Sequence, residues 1–259
     1  MNFQIVFDAI IYHWHIILLF FTVAILYSSV GFGGGSSYLA ILALTGIVFT
    51  QIRATALLCN IVVVSGNVLL FYHQKNLDWK KIIPLVAFSI PFAYVGGYLK
   101  ISQHFFFILL GVTLLFAAIT MWLSKKIIVS NEKINKSKPI KNASFGGIIG
   151  FISGMVGIGG GIFLAPLLHL TNWGSPKKIA ATASFFILVN SFAGLMGQYS
   201  NPDFKIDWNL TSILLFTVFI GGQIGSRLSN KSFTPIQLKK ATAVLIAFVS
   251  IRILFKYLF

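Results

Sequence analysis

Long stretches without a charged residue are the feature that most constrains what this chain can fold into. A transmembrane helix needs about 20 consecutive, mostly apolar residues. Composition agrees, since the 259 residues are 57% hydrophobic and only 10% charged, whereas soluble domains carry about 25% charged residues. The sequence therefore predicts an all-α integral membrane protein, rather than a soluble protein with a large core. The uncharged windows are Ala9–Ile52, Ala54–Gln74, Ile82–Leu99, Ile101–Ser124, Asn142–Ser175, Ile179–Pro202 and Trp208–Ser226.

A pass along the chain gives ten apolar segments, five on each side of one polar, basic stretch. That stretch, Lys125–Lys141, is the only evident linker, and it divides the chain almost in half. We expect a first transmembrane repeat at residues 1–124, a basic linker at 125–142 and a second repeat at 143–259. Two segments in each half are short, and both pairs flank a glycine run. The segments are centred on residues 15–30, 36–49, 54–73, 82–99, 103–123, 143–156, 160–171, 179–199, 208–226 and 236–257.

Each half carries a glycine run inside an apolar stretch, VGFGGGSS at residues 30–37 and VGIGGG at residues 156–161. Glycine inside a helix costs about 1 kcal/mol relative to alanine, so both runs predict an interruption. Non-helical backbone is tolerated at membrane depth only when it is buried in protein or lines a polar cavity. The short helix after each break, from about Ser36 and Ile162, would present free N–H groups and the positive end of its dipole.

These two helix ends are predicted to converge and bind an anion through their backbone, as other helix N-termini do. Ser36 and Ser37 are also candidates to cap the first short helix. The alternative is that the glycines only let helices pack closely. A nucleotide site is not indicated, because neither run completes a GxGxxG motif or precedes a Walker lysine. The glycine-run residues assigned to the candidate substrate site are Gly33, Gly34, Gly35, Ser36, Ser37, Gly159, Gly160 and Gly161.

The two halves resemble each other along their length. Four short motifs recur in the same order, and the spacing between their copies drifts only from 126 to 129 residues. Internal repeats of this kind are typical of transporters, whose binding sites lie near the repeat interface. The motifs place Gly31 against Gly157, Thr55 against Thr182, Asp78 against Asp207 and Gly96 against Gly225.

Basic residues are unevenly divided between the two membrane sides. Tracing the crossings places 5 on the side of the N-terminus, including Arg53 as a loop charge, and 15 on the side of the linker. Since basic residues accumulate in cytoplasmic loops, both termini are predicted to face outward and the linker inward, so that the repeats are inverted. The alternative is eight helices, with one continuous span through each glycine run and both termini inside.

Polar side chains inside the third and eighth segments extend the candidate site, because buried polar groups in a membrane are costly and often functional. Asn60, Ser184 and Asn190 are assigned as substrate-binding residues, since amides and hydroxyls can donate to an oxyanion without a permanent ion pair. Hydrogen bonding between helices is the alternative. All five acidic residues lie near segment ends or in loops, which favours anions over cations. His169 is the deepest histidine and a candidate for proton coupling.

Several other functions are not indicated by the sequence. The single cysteine, Cys59, allows no internal disulfide and gives no metal-site spacing, and no cofactor is expected. The net charge of +15 lies in short loops between apolar segments, so nucleic acid is not an expected partner. The expected partners are a small anionic substrate and the lipid bilayer, with the oligomeric state left open. A hydrolase built on Ser153 and His169 lacks a G-x-S-x-G elbow, and a non-transporting scaffold is a further alternative.

The motifs resemble those of the TauE/SafE sulfite exporter family over nearly the whole chain. The resemblance rests on the G-[FI]-G-G-G run of each half, the ATA sequence after it and above all GMVGIGGGIFLAPLL at Gly154–Leu168. It implies a permease of the bacterial cytoplasmic membrane associated with sulfite, sulfoacetate and related organosulfur anions. It also implies that Gly33–Gly35 and Gly159–Gly161 belong to the transport core. Ser36 and Ser37 depart from the apolar residues of that pattern.

The direction of transport is expected to be outward across the cell inner membrane. With an inside-negative potential, an anion that moves outward gains about 2.3 kcal/mol per charge per 100 mV. An exporter of small, sulfur-containing oxyanions would therefore need no coupling ion. An importer and a proton-coupled transporter of a related anion remain alternatives.

Overall fold

A computed structural model describes residues 3–123, 139–171, 173–202, 204–228 and 235–258. Its described part is all-helical and contains no strand, which confirms the predicted fold class. Each of the ten predicted apolar segments corresponds to one helix. The helices are α1 Phe3–Ser29, α2 Gly35–Ala43, α3 Phe49–His73, α4 Trp79–Tyr98, α5 Gln103–Leu123, α6 Pro139–Val156, α7 Gly161–Leu170, α8 Pro176–Tyr199, α9 Trp208–Leu228 and α10 Pro235–Leu258.

Within the described residues, six helices are long and apolar enough to cross a membrane, which makes the chain a multi-pass membrane protein. By contrast, α2 and α7 have only 9 and 10 residues. Most of the predicted linker lies outside the described residues, and α6 already begins at Pro139, before the expected repeat boundary. The six spans are Ile11–Ser29, Phe49–His73, Trp79–Tyr98, Gln103–Thr120, Pro176–Tyr199 and Trp208–Leu228.

The closest helix pair is α4 with α6, whose backbones touch at small residues one turn apart. A side-chain carbon at any of three α6 glycines would overlap a carbonyl oxygen of α4. Residue numbers rise together in both helices, so α4 and α6 run parallel. Such stripes of small residues let membrane helices pack without a gap. The paired positions are Gly146 with Leu85, Gly150 with Ser89 and Gly154 with Ala93.

The pair α1 and α9 repeats this arrangement in the other half of the protein. Gly221 lies against the carbonyl oxygen of Phe21, and Gly225 lies against that of Ile25. These helices therefore also run parallel. The first helix of each half thus packs on the fourth helix of the other half, while α3 packs on α8 and α5 on α10. The core is shared between the halves rather than built twice.

Both glycine runs interrupt a helix. The eight-helix alternative, which required one continuous span through each run, is therefore wrong. The Tyr38 ring of α2 stacks on the Phe20 ring of α1 at a centroid distance of 4.6 Å, so α2 runs back along α1. The hydroxyls of Tyr27 and Ser37 join the same two helices at 2.9 Å. In the second half, the N-terminal cap of α7, Gly160, likewise lies beside Ile149 of α6.

Candidate functional site

The two glycine breaks share two left-handed glycine positions 126 residues apart, and the second break has a third at Gly159. Gly34 caps α2 with a φ of +101°, and Gly160 caps α7 with a φ of +80°. Gly31 and Gly157 are a second matched pair, with φ of +81° and +87°. Glycine adopts this left-handed region without the steric cost that a side chain brings. Each half therefore uses its glycines to end one helix and start another deep in the protein.

Both short helices begin without a side-chain cap. The first backbone hydrogen bonds run from Tyr38 N to Gly34 O, 2.9 Å, and from Phe163 N to Gly160 O, 3.1 Å. The N–H groups of residues 35–37 and 161–162 precede these bonds and point out of the helix start. The prediction that Ser36 and Ser37 cap α2 is wrong, because the cap residue is Gly34 and both serines lie inside the first turn.

A cavity of about 60 Å³ lies where the two breaks meet, which exceeds the volume that one water molecule needs. Seven of the predicted site residues line it, namely Gly33, Gly34, Gly35, Ser36, Asn60, Gly161 and His169. Sequence reasoning missed the apolar part of the wall. That part comprises Leu26, Val30, Phe32, Ile158, Ile162, Ala165, Pro166 and Ile187, with Tyr27 beside them.

Asn60 is the side chain that touches both breaks. It is fully buried in α3, and its Nδ2 donates a hydrogen bond to the carbonyl oxygen of Ile158 at 2.8 Å. On its other side, the amide lies directly over Gly33 and Gly35, where a side-chain carbon would overlap it. Its Oδ1 is buried and has no hydrogen-bond partner within the described part of the chain. Since an unpaired buried polar atom is costly, it marks this point as a place for a ligand or water.

Ile187 occupies the position in α8 that Asn60 occupies in α3, by the 127-residue spacing of their motifs. It packs against Gly161 and lies 2.9 Å from a carbon added at Gly159. At this pair of counterpart positions, the first half contributes a polar side chain to the cavity wall and the second half an apolar one.

One helical turn further along α3 and α8, the first half carries the apolar side chain and the second half carries the polar one. Val64 of α3 faces Gly33, whereas Ser191 of α8 faces Gly159, with its Oγ 2.8 Å from a carbon added there. The Ser191 hydroxyl is fully buried and finds no partner among the described residues. In these two positions, α3 and α8 thus each carry one polar and one apolar side chain, in opposite order.

Three predicted site residues lie outside the cavity wall and connect helices. Ser37 bonds to Tyr27, and Ser184 donates a short hydrogen bond to the carbonyl oxygen of Gly31 at the first break. Asn190 donates to Ser89 Oγ at 3.0 Å, between α8 and α4, and to Phe186 O at 2.8 Å within α8. These contacts match the hydrogen bonding between helices that was the alternative for such residues. Gly159 and Gly160 form backbone of the second break beside the cavity.

Arg53 was predicted as a loop charge, and the structure places it inside α3 with only 4% of its surface exposed. Its Nη2 lies 3.2 Å from the carbonyl oxygen of Gly154, 3.4 Å from that of Gly97 and 3.5 Å from that of Gly96. The difference arises because α3 begins at Phe49, one turn before the uncharged window that the sequence offered. The sequence did offer a signal that Arg53 lies within a helix. Its motif RATA is repeated as AATA, which lies inside the predicted eighth segment.

No carboxylate lines the cavity, and the described residues contain no cluster of His, Cys, Asp and Glu that could hold a metal ion. Asp78 and Asp207 lie at the starts of α4 and α9, and Asp207 accepts hydrogen bonds from the backbone of Asn209 and Leu210. The groups around the cavity that can donate are therefore backbone N–H groups, the amide of Asn60, the hydroxyls of Ser36 and Tyr27, and the imidazole of His169.

Interrupted helices from two repeated halves, meeting at a buried cavity in a multi-pass helical protein, define the class as a membrane transporter. Comparison with known families agrees. The family model described as sulfite exporter TauE/SafE matches residues 16–253. The chain belongs to this family.

Known relatives carry names of the same kind. The probable membrane transporter protein y4hK of Sinorhizobium fredii is 31% identical over 92% of this chain and 96% of its own length. A probable membrane transporter of Methanocaldococcus jannaschii is 31% identical over 70% of each chain, and YjnA of Bacillus subtilis is 27% identical over 90% of this chain and 96% of its own. No solved structure matches. These names indicate a transporter rather than an enzyme, so the hydrolase alternative is set aside.

Proposed function

We propose that this protein is a permease that moves small, sulfur-containing oxyanions outward across the cell inner membrane and binds them at the two glycine breaks. The observation that carries this proposal is the meeting of two uncapped helix starts, one from each half, at one cavity with Asn60 between them. Sulfite and organosulfonates are the substrate class that the family's name and its motifs suggest.

Electrostatics supports an anion over a cation at this site. The starts of α2 and α7 each carry the positive end of a helix dipole, and their first N–H groups are free to donate to an oxyanion. The cavity wall has no carboxylate that would attract a cation. Its remaining wall is largely apolar, so that the few donors act in a low dielectric, where their interaction with a charge is strong.

An inverted arrangement of residues 1–124 and 143–259 is part of the proposal, and helix directions support it. Ser28 near the end of α1 bonds to Asn67 near the end of α3, as expected for parallel helices. Arg53 near the start of α3 reaches Gly97 near the end of α4, as expected for antiparallel ones. Because α4 runs parallel to α6, α1 and α6 then run in opposite directions.

The orientation proposed for the membrane follows from the charges. With 15 of the 20 basic residues on the linker side, that side is assigned to the cytoplasm and both termini to the periplasm. Outward movement of an anion then follows the membrane potential.

The direct test is anion flux into proteoliposomes that contain the purified protein. Sulfite, thiosulfate, sulfoacetate and phosphate are offered singly, with and without an imposed potential. We expect flux of at least one sulfur oxyanion, faster when the potential drives anions in the tested direction. Movement of cations only, or of none of these anions, would contradict the proposal.

Asn60→Asp provides a sharper test because it changes charge at nearly constant shape. A carboxylate between the two helix starts would repel an anion, so we expect anion flux to fall to the background of empty liposomes. Asn67→Asp is the matched control, since Asn67 lies two turns along the same helix, is also buried and does not line the cavity. Equal loss in both variants would point to damage of α3 rather than to an anion site.

Proton coupling through His169 is a second candidate, favoured by its place in the cavity wall near the end of α7. His169→Gln would then abolish any stimulation of anion flux by a pH gradient and leave the response to the electrical potential. If the wild-type flux does not respond to a pH gradient, this candidate is excluded.

A further inference from the structure

Arg53 joins three helices at one end of the bundle. Its guanidinium contacts carbonyl oxygens near the ends of α4 and α6, while its own backbone lies in α3. Gly157, the first residue of the second break, lies against that backbone, with a carbon added there only 3.2 Å from Arg53 Cα. One side chain therefore connects the start of the second break to the neighbouring helix ends.

Arg53 and the outer part of the cavity lie toward opposite ends of α4. Lys81 near the start of α4 donates to Trp173 O at 3.0 Å, in the loop that follows α7. Gly97 near the end of α4 faces Arg53, and 16 helical residues at 1.5 Å each separate these positions by about 24 Å. His169, in the cavity wall, precedes that loop. The cavity thus extends toward the Lys81 end, away from Arg53.

The short helices are packed more tightly at the Arg53 end than at the Lys81 end. Pro166 of α7 lines the cavity and is partly exposed. Its counterpart in α2, by the 126-residue spacing, is Ala40, which has no exposed surface, and neither does its neighbour Leu39. The second cavity that internal symmetry would produce along α2 is therefore filled.

The chemistry of Arg53 fits a contact that breaks and re-forms. Among the described residues no carboxylate pairs with it, and its buried Nε has no partner. Carbonyls at helix ends carry partial negative charge and stabilise a cation there, but the contacts of 3.2–3.5 Å are long for charge-assisted bonds. The counterpart of Arg53 is Ala180, which lies against Gly31 at the first break. At the Lys81 end, the corresponding basic contact is the single hydrogen bond from Lys81 to Trp173 O, which joins α4 to the loop after α7.

We propose that Arg53 is a latch that holds the pathway closed on the side away from the cavity. Its guanidinium ties the ends of α4 and α6 to α3, and release of these carbonyls opens a second route to the site along α2. This inference rests on the proposed transport function, since a latch has meaning only where access alternates between two sides.

Cysteine labelling tests the latch without any substrate. In a Cys59→Ser background, which removes the only cysteine, A40C reports the closed side and A165C reports the cavity. Each reporter is combined with R53Q or R53K, and purified protein in detergent is labelled with a small maleimide. We expect R53Q to raise the labelling rate of A40C about tenfold, as a shift from a mostly closed to a mostly open population requires. A165C labelling should not rise.

R252Q is the control for loss of an arginine, because Arg252 is exposed in α10. Folding is checked by gel filtration and thermal unfolding. If R53Q does not fold, the labelling rate in R53K is the test, because lysine keeps the positive charge and lacks the planar guanidinium. An A40C labelling rate that stays at the wild-type value in a folded Arg53 variant overturns the latch. Faster A40C labelling in a protein that moves none of the tested anions would instead overturn the proposed substrate class and leave the latch on a pathway for another substrate.

Discussion

The two glycine breaks match at two backbone positions and differ in nearly every side chain around them. Gly31 and Gly34 repeat the positive φ of Gly157 and Gly160, while Gly159 has a positive φ that Gly33 does not share. After the turn, the first half has Ser36 and Ser37, whereas the second has Ile162 and Phe163. The matched turns bring two helix starts to one place. The differing side chains after these turns are polar in the first half and apolar in the second.

The comparison teaches that the halves have separate tasks in the site. Asn60 from the first half reaches both breaks, while its counterpart Ile187 packs on Gly159 and Gly161 of its own half. Arg53 from the first half holds helix ends together, while Ala180 only makes a packing contact. Three experiments test this division of tasks, from the largest expected effect to the smallest.

The largest effect should come from a side chain at the turns themselves. Gly34→Leu and Gly160→Leu each force a left-handed residue, which costs about 1–2 kcal/mol, and each also crowds a ring, Tyr38 at 3.0 Å or Phe186 at 2.8 Å. We expect anion flux in proteoliposomes to fall to background in both. Gly46→Leu is the control, because Gly46 has a φ of +75° and no neighbour within 4 Å. Normal flux in both variants would reduce the breaks to packing features.

Exchanging the side chains at one pair of counterpart positions, Asn60 and Ile187, should show whether the two halves contribute unequally to transport. Asn60→Ile leaves the carbonyl oxygen of Ile158 without its donor, which costs about 1–3 kcal/mol, and removes the only amide in the cavity wall. We expect at least a roughly tenfold loss of flux. Ile187→Asn adds an amide and leaves that of Asn60 in place, so flux should fall by less. Equal losses would show that the wall is not functionally asymmetric.

A smaller effect is expected from the hydroxyl that lines the cavity. Ser36→Ala removes one donor beside the start of α2, worth about 0.5–1.5 kcal/mol, so the half-saturating anion concentration should rise about two- to tenfold. Ile162→Val at the counterpart position removes no donor and should leave that concentration nearly unchanged. The measurement is the concentration dependence of initial flux, and an unchanged value for Ser36→Ala would assign binding to the backbone alone.

Helix positions and breaks could be predicted from the sequence because the bilayer imposes one length scale on every span. The apolar segments located all ten helices, nine of them in uncharged windows, and the glycine runs located both interruptions. Helix starts were less certain, since a helix can extend past its apolar window. Arg53 was misassigned for that reason, because α3 begins four residues before it.

Which polar residues face the cavity could not be predicted, because that depends on the rotation of each helix. Asn60 and Asn190 looked equivalent as amides in matching segments. The 127-residue spacing instead aligns Asn190 with Val63, about one turn away from Asn60 along the helix, and Asn190 packs against α4. This spacing could be read from the sequence. It shows which of the two asparagines lies at the site only once the residues that line the cavity are known.

The parallel contact between α1 and α9 has a consequence for biosynthesis. Gly221 follows Phe21, against which it packs, by 200 positions. At about 5–20 residues per second, roughly 10–40 s separate the synthesis of these two surfaces. During that interval, the surface of α1 that will contact α9 faces lipid or a chaperone. By contrast, α4 has already been synthesised when α6 is made. The protein therefore cannot complete its first half before most of its second half has been made.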